Sequence, residues 1–138
     1  MDLFRQKCKE YNLKTTPQRV VIYNEIRNSK EHPCTDNMFK KVRRIFPDIS
    51  FDTVNRTLLT FTEIGILNVV EGHGGPKRFD PDLNNHHHFW CIRCNNIIDL
   101  YNKSYDNMKI VKGVQKGFTV LRKKVILEGI CNKCNRRD

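Results

Sequence analysis

The chain has 138 residues, with 25 Lys and Arg against 15 Asp and Glu and a formal net charge of +10 at pH 7. That length holds one ordinary domain or two small ones, and the basic balance favours an anionic partner, nucleic acid before membrane. Met1 to Glu10 mix charged and apolar side chains without an apolar run, so neither a secretory signal nor a membrane span is expected, and the protein is expected to be soluble and cytoplasmic. Residues 1–83 hold 14 Lys and Arg against 11 Asp and Glu, and residues 84–138 hold 11 against 4, so the segments carry +3 and +7. Four metal-bound thiolates in the second segment would offset part of that excess, because the formal count treats them as neutral.

In chain order, Phe4, Cys8 and Tyr11 recur at helical spacing, and a second helix opens with Thr16 as cap and Pro17 at its first position, running through Val20, Tyr23 and Ile26. A third is expected after Thr35, with Asp36 in its first turn, Met38, Phe39, Val42 and Ile45 along one face, and Pro47 at its end. Ser50 caps a fourth, whose Phe51, Val54, Leu58 and Phe61 form a core stripe, and Gly65 stops it. Ile66 to Val70 reads as a strand, Glu71 to Pro76 as a glycine-rich turn in which His73 is expected to be exposed, and Lys77 to Asp80 as a return strand. Helices followed by a hairpin predict a winged helix-turn-helix.

Pro81 to Asn85 is polar and turn-forming and marks a linker, giving a winged-helix domain over residues 1–83 and a second domain over residues 84–138. In the second, His86 to Trp90 and Asn96 to Tyr101 predict strands, Tyr105 to Lys116 a helix ending at Gly117, and Phe118 to Ile130 two strands around a basic turn. The fold class is therefore α+β. The only internal repeat is a pair of Cys-x-x-Cys knuckles, Cys91 with Cys94 and Cys131 with Cys134.

Two such knuckles make one tetrahedral thiolate cage. Zinc suits it because that ion takes four thiolates without redox chemistry, and a closed shell leaves no place for substrate, so the expected role is structural. Structural zinc in small modules contributes roughly 10–16 kcal/mol of apparent binding energy, enough to exceed the whole folding stability of such a domain. Cys8 and Cys34 stand alone. Just ahead of the first knuckle, His86 and His88 would share one face of a strand and His87 the other, so two imidazoles can converge on one ion.

Taken together, Thr16-Pro17-Gln18-Arg19, His32-Pro33, the helix from Ser50 to Glu63, Arg78 to Asp80, His86-x-His88 and both knuckles resemble the ferric uptake regulator superfamily over nearly the whole chain. Within it the sequence looks most like the peroxide-stress regulator branch. That resemblance implies a regulatory site of three histidines and two aspartates drawn from both domains, here His32, Asp80, His86, His88 and Asp99. It also implies a C-terminal dimerisation domain, a homodimer, and repression through binding to double-stranded palindromic operator DNA. Asp99 lies five residues after Cys94, where the iron-sensing branch more often has glutamate. A zinc-sensing branch would offer a regulatory cysteine, and none stands at these five positions. A mixed nitrogen and oxygen shell suits Fe2+ or Mn2+ and leaves room for an open position. The resemblance further implies that bound iron reduces peroxide and that His32 or His86 takes up oxygen. A metal-uptake regulator of the same superfamily, without peroxide sensing, is the alternative.

On the fourth helix Asp52, Asn55, Arg56 and Thr60 lie opposite the core stripe, the arrangement of a helix that enters a major groove. Arg56 can bind phosphate or guanine and Asn55 can pair with adenine, although family members usually carry tyrosine at the position of Asn55. Lys14, Arg19, Lys77 and Arg78 are candidate phosphate contacts. Two rivals come from other classes. A zinc enzyme would need a three-ligand zinc with a general-base glutamate, but no His-x-Glu exists and Glu128 is the only glutamate after residue 71. A zinc-ribbon RNA-binding module would suit the basic stretch Arg122 to Lys124 but leaves the helices and hairpin without a role.

Overall fold

The computed structural model describes residues 2–70 and 75–136, and the chain divides into two units, Met1–Leu83 and Asn84–Asp138. In the first, α1 (Asp2–Glu10) buries Phe4 and Cys8, one turn apart, whereas Tyr11 falls past the helix end and is exposed. Pro17 begins α2 (Pro17–Ile26), and the Thr16 hydroxyl accepts the Arg19 N–H at 3.3 Å, satisfying one of the N–H groups a helix start leaves over. The helix buries Ile22, Tyr23 and Ile26.

The third helix, α3 (Thr35–Val42), starts one residue earlier than expected. Cys34 is its cap residue, and the Asn37 side chain reaches back to accept the Cys34 N–H at 3.1 Å. It also ends earlier, so Ile45 sits in the turn that follows and is exposed rather than lining the core.

Ser50 caps α4 (Phe51–Glu63), accepting the Thr53 N–H at 3.0 Å. Val54, Thr57, Leu58 and Phe61 form its buried stripe. Phe51 was expected in that stripe but is 47% exposed. At the first helical position a side chain leans beyond the helix start, and the ring meets Phe39 edge-on at 5.7 Å instead. Stacked Phe4 and Tyr23, both edge-on to Phe61, join α1, α2 and α4 in one core.

At the end of α4, Gly65 adopts φ 83°, and the N–H groups of Ile66 and Leu67 turn back to the Phe61 carbonyl. Those bonds delay the strand that was expected from Ile66. The pair β1 (Asn68–Val70) and β2 (Arg78–Asp80) is antiparallel with Val69 opposite Phe79, which is buried. Residues 71–74, including His73, lie outside the described residues.

The second unit is a three-stranded sheet in the order β4-β3-β5, with β3 (His87–Cys91) antiparallel to β4 (Ile97–Leu100) and parallel to β5 (Ile126–Gly129). The single helix expected over Tyr105 to Lys116 is two one-turn helices, α5 (Lys103–Asp106) and α6 (Lys112–Gln115). Asn102 starts the first one early by accepting the Ser104 and Tyr105 N–H groups, and Met108, Val111 and Val114 are exposed, so no buried face prolongs the helix. Of the two strands expected over Phe118 to Ile130, only β5 forms among the described residues, on the edge of β3 opposite β4. Residues 118–125 leave Phe118 and Leu121 exposed. A short helix, α7 (Asn132–Asn135), follows β5.

Candidate functional site

Parallel strands end on the same side of a sheet, and that geometry assembles the cysteines. Cys91 closes β3 opposite Gly129, two residues before Cys131, so both knuckles emerge at one end. Cys91 and Cys134 stand 3.8 Å apart, as do Cys94 and Cys131, and the four sulfurs lie within 4.8 Å of one another. A regular tetrahedron of thiolates at the usual zinc distance of about 2.3 Å has edges of about 3.8 Å, so the donor set and its spacing fit a structural zinc. Backbone N–H groups of Cys94 and Cys131 pull the Cys91 thiol down to about 6, which prepares it to bind as thiolate. Burial and the neighbouring thiols push Cys134 up to about 12, so its deprotonation awaits a cation.

Within the same unit, alternation along β3 separates the histidines as expected. The Nε2 atoms of His86 and His88 point at the same oxygen of Asp99, at 3.2 and 3.3 Å. The Nδ1 of His86 lies 2.6 Å from the Asn84 carbonyl, which can only accept, so that nitrogen carries the hydrogen and Nε2 keeps its lone pair. A lone pair facing a carboxylate oxygen at this distance calls for a proton or a cation between them. The Asn84 bond is thus of the kind that orients a ligand imidazole.

His87, on the other face, is a role the sequence did not reveal. Its Nδ1 accepts the Val125 N–H at 2.9 Å, so its Nε2 donates to Asp106 at 2.7 Å. Asn85 donates to the same carboxylate at 2.9 Å. Fully buried, His87 ties β3 to α5 and to the approach to β5. Only a hydrogen-bond map exposes this clasp, since in sequence His87 is simply the middle of three histidines.

In the first unit His32 and Asp80 are both buried, with Nε2 and Oδ2 3.5 Å apart. Arg78 donates through Nε to the His32 carbonyl and through Nη2 to the Glu31 carbonyl, the latter at 3.0 Å. Nearby, the Cys34 sulfur meets Asn37 Oδ1 at 3.0 Å, the same oxygen that accepts the Cys34 N–H. Cys8 lies in the helical core, where burial pushes its thiol up and makes it inert.

Of the candidate DNA contacts, Lys14, Arg56 and Lys77 are exposed. Arg19 donates to the Lys14 carbonyl at 2.7 Å, and Arg56 pairs with Asp52 one turn earlier at 2.9 Å, a solvent-screened contact that phosphate can displace. Asn55 Oδ1 accepts the Thr35 hydroxyl at 2.8 Å, so the amide is oriented with its N–H groups left to donate.

The model of the ferric uptake regulator family matches residues 10–128. The chain belongs to that family. It is 29% identical over 133 residues to the peroxide operon regulator of Bacillus subtilis, covering 96% of this chain and 92% of that protein. The fold is that of the Helicobacter pylori ferric uptake regulator, with a TM-score of 0.82 at 18% identity over 97% of this chain and 90% of the other. PerR from Streptococcus pyogenes, solved for its peroxide sensing and gene regulation, gives a TM-score of 0.54 at 26% identity over 95% and 90%. As a member of the family the protein is a metal-dependent transcription regulator and not an enzyme, which disposes of the zinc-enzyme alternative. Family regulators are dimeric and bind DNA.

The cage yields a direct test. Chelation under reducing conditions, or Cys131→Ser, is expected to remove zinc and melt the β4-β3-β5 sheet, because the apparent zinc-binding energy rivals the stability of a small domain. Trp90, the single tryptophan, sits beside Cys91 on β3 and reports the event through its fluorescence. Retention of the folded Trp90 spectrum after complete zinc loss would contradict a structural role.

Proposed function

We propose that this regulator is a repressor of the peroxide-stress type, in which His32, Asp80, His86, His88 and Asp99 together hold one ferrous or manganous ion. The observation that carries this reading is the paired half-set in each unit: a buried imidazole beside a carboxylate in the first, and two imidazoles aimed at one carboxylate oxygen in the second. Three nitrogens and two carboxylates form a mixed shell of the kind that suits Fe2+ and Mn2+. The 29% identity to a peroxide operon regulator across nearly the whole chain supports the same branch.

Because the ligands come from both units, ligation is available only when the units adopt the orientation that joins them, so metal shifts the population toward that orientation. The DNA-binding form is then the metal-loaded one, in the cytoplasm. The five side chains would hold ferrous iron, which would activate peroxide; the imidazole of His32 or His86 would then take one oxygen atom from the peroxide, the other leaving as water. An oxidised imidazole donates more weakly, the half-sets part and the operator is released. Arg56 and Asn55 on α4 read or position the duplex, with Lys14, Arg19 and Lys77 on phosphates, and the operator is palindromic because the protein is a two-fold dimer.

The dimer face lies in the C-terminal unit, where Val111, Phe118 and Leu121 are 69%, 65% and 87% exposed and offer apolar side chains for a partner to cover. Leu121→Asp is expected to shift the sedimentation mass to that of a monomer with zinc retained; an unchanged dimer would place the interface elsewhere.

For the sensing reaction, the protein is loaded anaerobically with iron or with manganese and treated with peroxide. The iron form is expected to release operator and to gain 16 mass units, one oxygen, on peptides containing His32 or His86, while the manganese form stays bound. Equal sensitivity of both forms, or release without oxygen on either histidine, would overturn peroxide sensing at this site and favour metal-uptake regulation or oxidation of Cys34.

A further inference from the structure

Arg78 carries two hydrogen bonds that a phosphate contact does not explain. Its Nε donates to the carbonyl of His32 and its Nη2 to that of Glu31, and the next residue, Phe79, donates its N–H to the carbonyl of Pro33 at 2.9 Å. Two consecutive residues of β2 thus hold three consecutive carbonyls, along the edge of β2 that β1 does not use. The guanidinium is partly buried in doing so, and burial lowers its pKa from the ordinary value. The segment it holds is strained. His32 has φ 51°, the left-handed region that a residue with a Cβ seldom adopts. Two residues beyond Arg78, on the same face of the strand, the Asp80 carboxylate lies 3.5 Å from the His32 imidazole.

We propose that Arg78 is a positioning residue for the regulatory metal, clamping the Glu31–Pro33 turn onto β2 so that His32 faces Asp80 before any ion arrives. The proposal rests on His32 and Asp80 being ligands. Its physical basis is preorganisation: strain at His32 is met by bonds made in the metal-free protein, so ligation need not supply it. A fork is required, because a guanidinium reaches two carbonyls in one plane and an ammonium does not. Lysine at position 78 would keep the charge that a phosphate needs and lose the clamp.

The test compares zinc-loaded wild type with Arg78→Ala, Arg78→Lys and His32→Ala. It measures Mn2+ affinity, deuterium uptake by peptides spanning residues 29–35 in the Mn2+-free protein, and operator affinity across Mn2+ and salt concentrations. Both Arg78 variants are expected to bind Mn2+ about 10–100-fold more weakly, as for loss of a partner that orients a ligand. Both are also expected to exchange faster over residues 29–35 and to recover wild-type operator affinity at saturating Mn2+. If Arg78→Lys behaves as wild type while Arg78→Ala binds operator weakly at every Mn2+ concentration, with a salt slope reduced by about 1, Arg78 is a phosphate contact and the clamp is refuted. His32→Ala separates the two levels. Undiminished Mn2+ binding by His32→Ala would remove the ligand reading itself, whereas loss there with unchanged Arg78 variants would overturn the clamp alone.

Discussion

A carboxylate withdrawn from water must be compensated, and Asp80 is 3% exposed. Its Oδ1 accepts the Asp82 N–H at 2.9 Å and its Oδ2 faces His32. Much of the first unit is arranged around that demand: the left-handed turn at His32, the carbonyl fork of Arg78, and a core that holds β2 in place through Phe79. The same constraint recurs at Asp99, where one oxygen receives two imidazoles and the tautomer of His86 is fixed by a backbone carbonyl. Both arrangements bring imidazole to carboxylate, the mixed nitrogen and oxygen donors on which the proposed regulatory site rests.

Two kinds of metal chemistry divide the work. The thiolate cage is closed, saturated and placed where β3 and β5 end, so it fixes the sheet without taking part in sensing. In the proposed arrangement that permanence lets a second site of nitrogen and oxygen donors exchange its ion. Were the exchangeable ion also the staple, its loss would unfold the unit instead of altering an orientation. His87 adds to the division by anchoring β3 through Asp106 on the face away from His86 and His88. The strand that carries the proposed ligand His88 is therefore anchored by contacts that no regulatory ion supplies.

Most of the first unit was legible because its signals are local: a Thr16 cap with Pro17, a Ser50 cap, and buried positions at helical spacing. The paired knuckles were legible for a related reason, since four cysteines at that spacing have few other uses. What the sequence hid depends on partners. Phe51 reads as core by periodicity but sits at a helix start, and Ile45 matches the stripe of α3 but follows its end. Phe118 to Val125 has strand composition, yet it leaves Phe118 and Leu121 exposed, and pairing with β3 begins only at Ile126. Arg78 resembles any surface cation until its two carbonyl partners, almost fifty residues earlier in the chain, are seen. The proposal that His32 and Asp99 serve one ion came only from resemblance, because no spacing in the sequence relates them.

The central claim is that regulatory metal and operator DNA favour one and the same orientation of the two units, and thermodynamic linkage makes it measurable. If metal tightens DNA binding by some factor, DNA must tighten metal binding by that factor, typically about 5–150-fold. The decisive measurement is Mn2+ affinity of the zinc-loaded dimer with and without saturating operator duplex, beside operator affinity with and without saturating Mn2+. Two equal factors, both well above one, are expected. Tight operator binding without Mn2+, together with an Mn2+ affinity that DNA leaves unchanged, would contradict it.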